Sequence, residues 1–157
     1  MNFTDLQVDL RDYLDELITF VGLGNLQRSD DAAGLELLDL IEKSGVFPGA
    51  YYVSAGTNPE NYLEQILSAN PGLVVFLDAC DLGNDPGSIR WLNNDEIETA
   101  GISTHAFSIT MIEKYLNLER KTECRYLAIQ PAFTGPGSGL SVETRQGLLR
   151  FIDSPGS

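Results

Sequence analysis

The sequence predicts a three-layer α/β/α sandwich around a mostly parallel, mixed five-stranded sheet with one antiparallel strand. Three observations predict it. Short, wholly apolar runs such as Leu73 to Leu77 alternate with amphipathic stretches at helical spacing, which is how buried parallel strands and their covering helices read. Strand and helix alternate along nearly the whole chain, so helices should cover both faces of one sheet. One segment, Ser88 to Leu92, follows Asp78 too closely for a crossover helix to intervene, so it should run antiparallel at an edge.

The elements follow in order. Asp5 to Asp15 carries Leu6, Leu10, Tyr13 and Leu14 at helical spacing and leads into the domain. Leu17 to Gly22 is a β-branched and aromatic run that reads as the first buried strand. Asp30 or Asp31 then opens and caps a helix whose inner face is Leu35, Leu38 and Ile41 and whose stop is Gly45. Tyr51 to Ala55 is a second strand. Thr57 or Asn58 caps the next helix, Pro59 fills its first turn, and Tyr62, Leu63, Ile66 and Leu67 form its buried side. Leu73 to Leu77, apolar at every position, is the central strand. Asp85-Pro86-Gly87 marks a turn before the antiparallel strand. A helix from Ala106 to Leu116, a strand from Tyr126 to Ile129 and a helix from Val142 to Ile152 complete the pattern, with Thr134 to Gly139 as a flexible loop.

The chain of 157 residues suits one domain: an N-terminal helical extension over 1–16, a core over 17–152 and a frayed tail over 153–157. Its net charge of −13, with ten Lys and Arg spread along the chain, repels a phosphate backbone and argues against a nucleic-acid role. No run approaches the roughly 18 apolar residues of a membrane span, and the acidic start lacks the positive charge of a secretory leader. A cytoplasmic monomer is expected. Cys80 and Cys124 are far apart, match no metal-binding spacing and read as reduced, buried small residues.

In sheets of this kind ligands bind beyond the carboxyl ends of the strands. Asp31 follows the first strand, Asp78 ends the third, and His105, the one histidine of the chain, precedes the helix that starts at Ala106. Two carboxylates and an imidazole from three separate strand ends are a kit for handling a divalent metal. Asp78 stands out, because a carboxylate directly after five apolar residues pays desolvation unless something cationic meets it. An all nitrogen and oxygen donor set suits nickel or zinc and accepts other divalent ions. Other motifs are incomplete. Gly22 and Gly24 follow a strand, but Gln27 stands where a dinucleotide fingerprint needs its third glycine. Gly24 instead lets the backbone turn past another group. One histidine excludes a three-histidine zinc site and a metalloprotease helix motif, and no nucleophile-elbow serine is present.

Taken in order, Gly22-Leu23-Gly24-Asn25, Arg28-Ser29-Asp30-Asp31-Ala32-Ala33-Gly34, Asp78-Ala79-Cys80-Asp81-Leu82-Gly83, Pro86-Gly87-Ser88-Ile89-Arg90 and Ser103-Thr104-His105 resemble the nickel-iron hydrogenase maturation endopeptidases. The resemblance runs from about Leu17 to Ile152, and Ile129-Gln130-Pro131 is similar to the branch that processes hydrogenase-3-type enzymes. It departs in the Ala32 after the acidic pair and in Ile109, where leucine is common. The resemblance implies an endopeptidase that removes the C-terminal extension of a hydrogenase large-subunit precursor, with substrate-borne nickel as the recognition signal. It implies that Asp31, Asp78 and His105 contact that metal. The residues alone would equally serve a nickel-site chaperone that cuts nothing, or a small-molecule hydrolase.

Overall fold

The computed structural model describes residues 1–98, 106–118 and 121–153. Five strands, β1 (Ile18–Leu23), β2 (Tyr51–Gly56), β3 (Leu73–Ala79), β4 (Ile89–Leu92) and β5 (Glu123–Ile129), form one sheet in the order β2-β1-β3-β5-β4. The first three and β5 run parallel to one another, and β4 pairs antiparallel to β5 at the edge. The expected architecture, the central place of Leu73 to Leu77 and the antiparallel edge strand are all present.

Side chains alternate across β3 and divide the core in two. Leu73, Val75 and Leu77 face one layer, built from α1 (Phe3–Leu10), α2 (Ala33–Ser44) and α6 (Val142–Ile152). Val74 and Phe76 face the other, where Ile66 of α3 (Leu63–Ser68) and Ile109, Ile112 and Leu116 of α5 (Ala106–Leu116) pack. Asp78, in step with Val74 and Phe76, therefore lies on the α3 and α5 side of the sheet. A short helix, α4 (Asn94–Glu98), follows β4 and was not anticipated from the sequence.

Several local expectations are corrected. The N-terminal segment is no appendage: α1 starts under an Asn2–Asp5 capping box and buries Phe3, Leu6 and Leu10 in the same core cluster as Phe20 and Phe151, while Leu14 is exposed. On α2, Leu37 is buried and Leu35 only half-buried, and Leu67 of α3 is exposed, so those inner faces are rotated from the expected ones. Neither acidic residue caps α2, and neither Thr57 nor Asn58 caps α3. Each helix is instead preceded by a 3-10 turn, over Ser29–Ala32 and Pro59–Tyr62, whose backbone carbonyls take the first helical N–H groups. Cys80 is buried and Cys124 half-buried, and both are free thiols. The tail after Asp153 lies outside the described residues.

Candidate active site

The parallel strands β1, β3 and β5 end at one edge of the sheet, and α2 begins directly over it. A Cβ on Gly34, in the first turn of α2, would lie 2.2 Å from the Leu77 carbonyl oxygen and 2.5 Å from that of Leu23. The helix thus touches the last turns of β3 and β1 at once, through a residue that only glycine can occupy. Upstream, Gly24 has φ +141°, and a Cβ there would meet the Asp31 carbonyl oxygen at 2.1 Å. The group that Gly24 turns past is therefore Asp31 itself. These two close approaches bring Asp31, three residues before Gly34, and Asp78, one residue after Leu77, to the same edge. Gly34→Ala should lower stability by about 1–3 kcal/mol through this overlap. A denaturant titration checks it, and unchanged stability would mean that α2 is not seated as described.

The two carboxylates differ in surroundings. Asp31 is half-buried, and its Oδ2 accepts the Asn25 backbone N–H at 2.9 Å. Asp78 is 1% exposed and accepts a hydrogen bond from the Tyr126 hydroxyl on β5. Cys80, two residues on, has its thiol pushed up to about 12 by burial and by Asp78 nearby, so it stays protonated at neutral pH and is no nucleophile. His105 lies outside the described residues. Among those that are described, no three His, Cys, Asp or Glu side chains form a group able to hold an ion. The helix that follows His105 in sequence, α5, packs against the Pro59–Tyr62 turn, which leaves the carboxyl end of β2. It then runs to β5, which enters the sheet from the far end, so α5 begins at the carboxyl edge with Ala106.

Asp30 plays a part that the sequence did not disclose. Its carboxylate is fully buried and accepts five hydrogen bonds: from the N–H groups of Ala132 (2.8 Å), Phe133 (3.1 Å) and Ser141 (2.6 Å) and from the hydroxyls of Ser141 (2.8 Å) and Thr144 (2.9 Å). Burial pushes its pKa up, but the donors from Ser141, Ala132 and Thr144 outweigh that and hold it below its ordinary value. Thr134 to Gly139, expected to be a flexible loop, is bound to the Asp31 loop. The Ser29 N–H donates to the Gly137 carbonyl, the Gly137 N–H to that of Gln27, and the Ser29 hydroxyl to that of Gly135. Ser29 itself has φ +51°, a left-handed conformation held by these contacts immediately before the acidic pair.

The segment after Asp78 is fixed as firmly. The buried Gln130 amide accepts the N–H groups of Leu82 (2.7 Å) and Asn84 (3.2 Å) and donates to Asp81 Oδ1 (3.0 Å) and the Pro131 carbonyl (3.1 Å). The bond from Gln130, with one from the Gly83 N–H, holds the Asp81 pKa below its usual value. Asp30, Gln130 and Tyr126 were missed from sequence because all the partners of their side chains but Pro131 lie 46 to 114 residues away. The signal that could have found Tyr126 is a polar group within the otherwise apolar run Tyr126 to Ile129; Asp30, in a polar run, carried none.

Beside Asp31, a cleft of about 350 Å³ is lined by Gly24, Asn25, Gln27, Ser54, Gly56 and Tyr62. A larger groove of about 760 Å³, bounded by Trp91, Asn93, Glu113 and Cys124, opens where β5 begins and β4 ends. That is the opposite end of the sheet from Asp78, whereas the smaller cleft includes the Gly24-Asn25 turn that packs against Asp31.

Fold and edge together define an α/β/α sandwich with an acidic site at the carboxyl ends of its parallel strands. Over residues 36–153 the chain matches the hydrogenase maturation protease family HycI, and it belongs to that family. It is an endopeptidase of hydrogenase maturation. The chain is 33% identical over 116 residues to the hydrogenase 3 maturation protease of Escherichia coli K12, covering 72% of each. Its fold is similar to the crystal structure of the NiFe hydrogenase maturation protease HycI from Thermococcus kodakarensis KOD1, with a TM-score of 0.70 and 25% identity over 89% of this chain and 94% of that one. The solution structure of the endopeptidase HycI from Escherichia coli gives a TM-score of 0.72 at 25% identity, covering 86% of both. The family match contains Asp78 and His105 and begins after Asp31.

Proposed function

We propose that this endopeptidase removes the C-terminal extension of a hydrogenase large-subunit precursor once nickel is in place, and that Asp31, Asp78 and His105 contact the nickel the substrate carries. The observation that carries the reading is the seating of Gly34 on the carbonyls of Leu23 and Leu77, which sets two carboxylates at one sheet edge. The 33% identity to a hydrogenase 3 maturation protease, and the Ile129-Gln130-Pro131 strand end, favour a hydrogenase-3-type precursor.

The chemistry of the donors supports a metal held mainly by the substrate. Two carboxylates and one imidazole are hard or borderline ligands, and they compete poorly with thiolates for nickel. The free protein should accordingly bind nickel weakly. A bound divalent ion polarises a neighbouring carbonyl or acidifies a bound water, and either serves peptide hydrolysis. Asp31, half-buried, accepts the N–H of Asn25, a residue that lines the cleft, and Asp78 accepts from the Tyr126 hydroxyl.

Incubation of purified protein with its precursor, with and without nickel, tests the proposal. The expected result is loss of the C-terminal extension, read by intact mass, only for nickel-loaded precursor. Equal cleavage of metal-free precursor would remove nickel from the recognition step. Complex formation without any mass loss would favour the chaperone reading.

A further inference from the structure

We propose that Tyr126 is a positioning residue for Asp78, orienting its carboxylate through the hydrogen bond from the phenol. The proposal rests on the reading that Asp78 acts in the site. Tyr126 is 1% exposed on the α3 and α5 side of β5, in an apolar layer that includes Val74, Phe76, Ala128, Ile109 and Ile112. The strand register explains how it reaches Asp78. Tyr126 pairs with Phe76 and Ala128 with Asp78, so the phenol stands one pleat behind the carboxylate on the same face. Ala128 between them leaves room for the ring to lean along the strand, and its hydroxyl donates to Asp78 Oδ2.

A tyrosine hydroxyl in an apolar layer needs an acceptor, and a buried carboxylate needs donors, so this pair satisfies both groups. The geometry does more than satisfy them. A carboxylate at a strand end can turn about its side-chain torsions, whereas a charge-assisted bond from a ring buried in this layer and paired across the strands with Phe76 fixes which oxygen faces the sheet interior. The other oxygen is then directed by the same constraint. Outer groups that orient metal-facing carboxylates in this manner usually change activity by about 10–100-fold when removed. Phenylalanine would keep the ring, its packing and its volume, and would remove only the donor.

The test is the rate of precursor cleavage by Tyr126→Phe, alongside Asp78→Asn and a protein carrying 3-fluorotyrosine at position 126. The Phe variant should lower kcat by about 10–100-fold, with KM near the wild-type value and native circular dichroism retained. Fluorotyrosine, which keeps the hydroxyl, should stay close to the wild-type rate. Wild-type kcat in the Phe variant with an inactive Asp78→Asn would overturn the positioning role and leave Asp78 in the site. Activity of both variants at the wild-type rate would overturn the reading of Asp78 itself. A fall in kcat matched by an equal fall in folded fraction would reduce Tyr126 to a structural residue and likewise overturn the proposal.

Discussion

Replacing Asp78 by asparagine is expected to reduce precursor cleavage by about 10³-fold or more, the range spanned when a positioned acid–base group or charge-stabilising partner is lost. The substitution keeps the shape of the side chain and its place beside Tyr126, but it removes the negative charge from a site that is 1% exposed. A neutral amide there offers no charge to a cation and no base to a water. Asp31→Asn should act in the same direction. Its carboxylate is half-buried and bonded to the Asn25 N–H, and an asparagine can keep that bond through its carbonyl oxygen. Both variants should therefore fold. Intact-mass kinetics on nickel-loaded precursor, with circular dichroism of each variant, check the pair. If folded Asp78→Asn and Asp31→Asn both process at the wild-type rate, the acidic edge is not where cleavage occurs.

How much of this was legible in the sequence depended on the range of the interactions involved. The periodicity of Ala106 to Leu116 and Val142 to Ile152 set the bounds of α5 and α6, because an amphipathic stripe is written locally. The five apolar residues of Leu73 to Leu77 set the centre of the sheet for the same reason. The short link from Asp78 to Ser88 told the direction of β4, a matter of chain length alone. Asp31 and Asp78 were legible as carboxylates following strands; His105, read from the sequence as a solitary imidazole ahead of a helix, lies outside the described residues.

What was not legible is what the chain settles across long separations. Thr134 to Gly139 has the composition of a loose loop, yet three backbone and hydroxyl bonds tie it to Gln27 and Ser29, more than 100 residues earlier. Phe3 gave no signal as a core residue because its partners, Phe47 and Phe151, come from two distant elements. The capping assignment of Asp30 failed for a physical reason. A 3-10 turn already supplies carbonyl partners to the start of α2, so the carboxylate is available to the N–H groups of Ala132, Phe133 and Ser141 and to the hydroxyls of Ser141 and Thr144.

Asp30→Ala and Asp30→Asn are expected to be the most destabilising substitutions near the site, each costing about 3–5 kcal/mol, because five donors lose a buried charged acceptor. For a chain of 157 residues that corresponds to a fall in Tm on the order of 10 °C. Alanine leaves the Ser141, Ala132 and Phe133 groups facing an apolar gap. Asparagine fills the gap but turns an NH2 toward groups that are themselves donors, so restoring the volume should not restore stability. The pH dependence has a definite sign. The Asp30 pKa is lowered on folding from its ordinary 3.8, so its contribution is fully present above that value and is lost as pH falls through the lower native one. The gap in stability between wild type and Asp30→Ala should hold steady at neutral and mildly acidic pH, then narrow by the charge-dependent part once the pH drops below about 4. Urea titrations at a series of pH values measure it. A gap independent of pH down to strong acid would show that packing, and not the charged hydrogen-bond network, ties α6 and the 132–141 segment to the acidic loop.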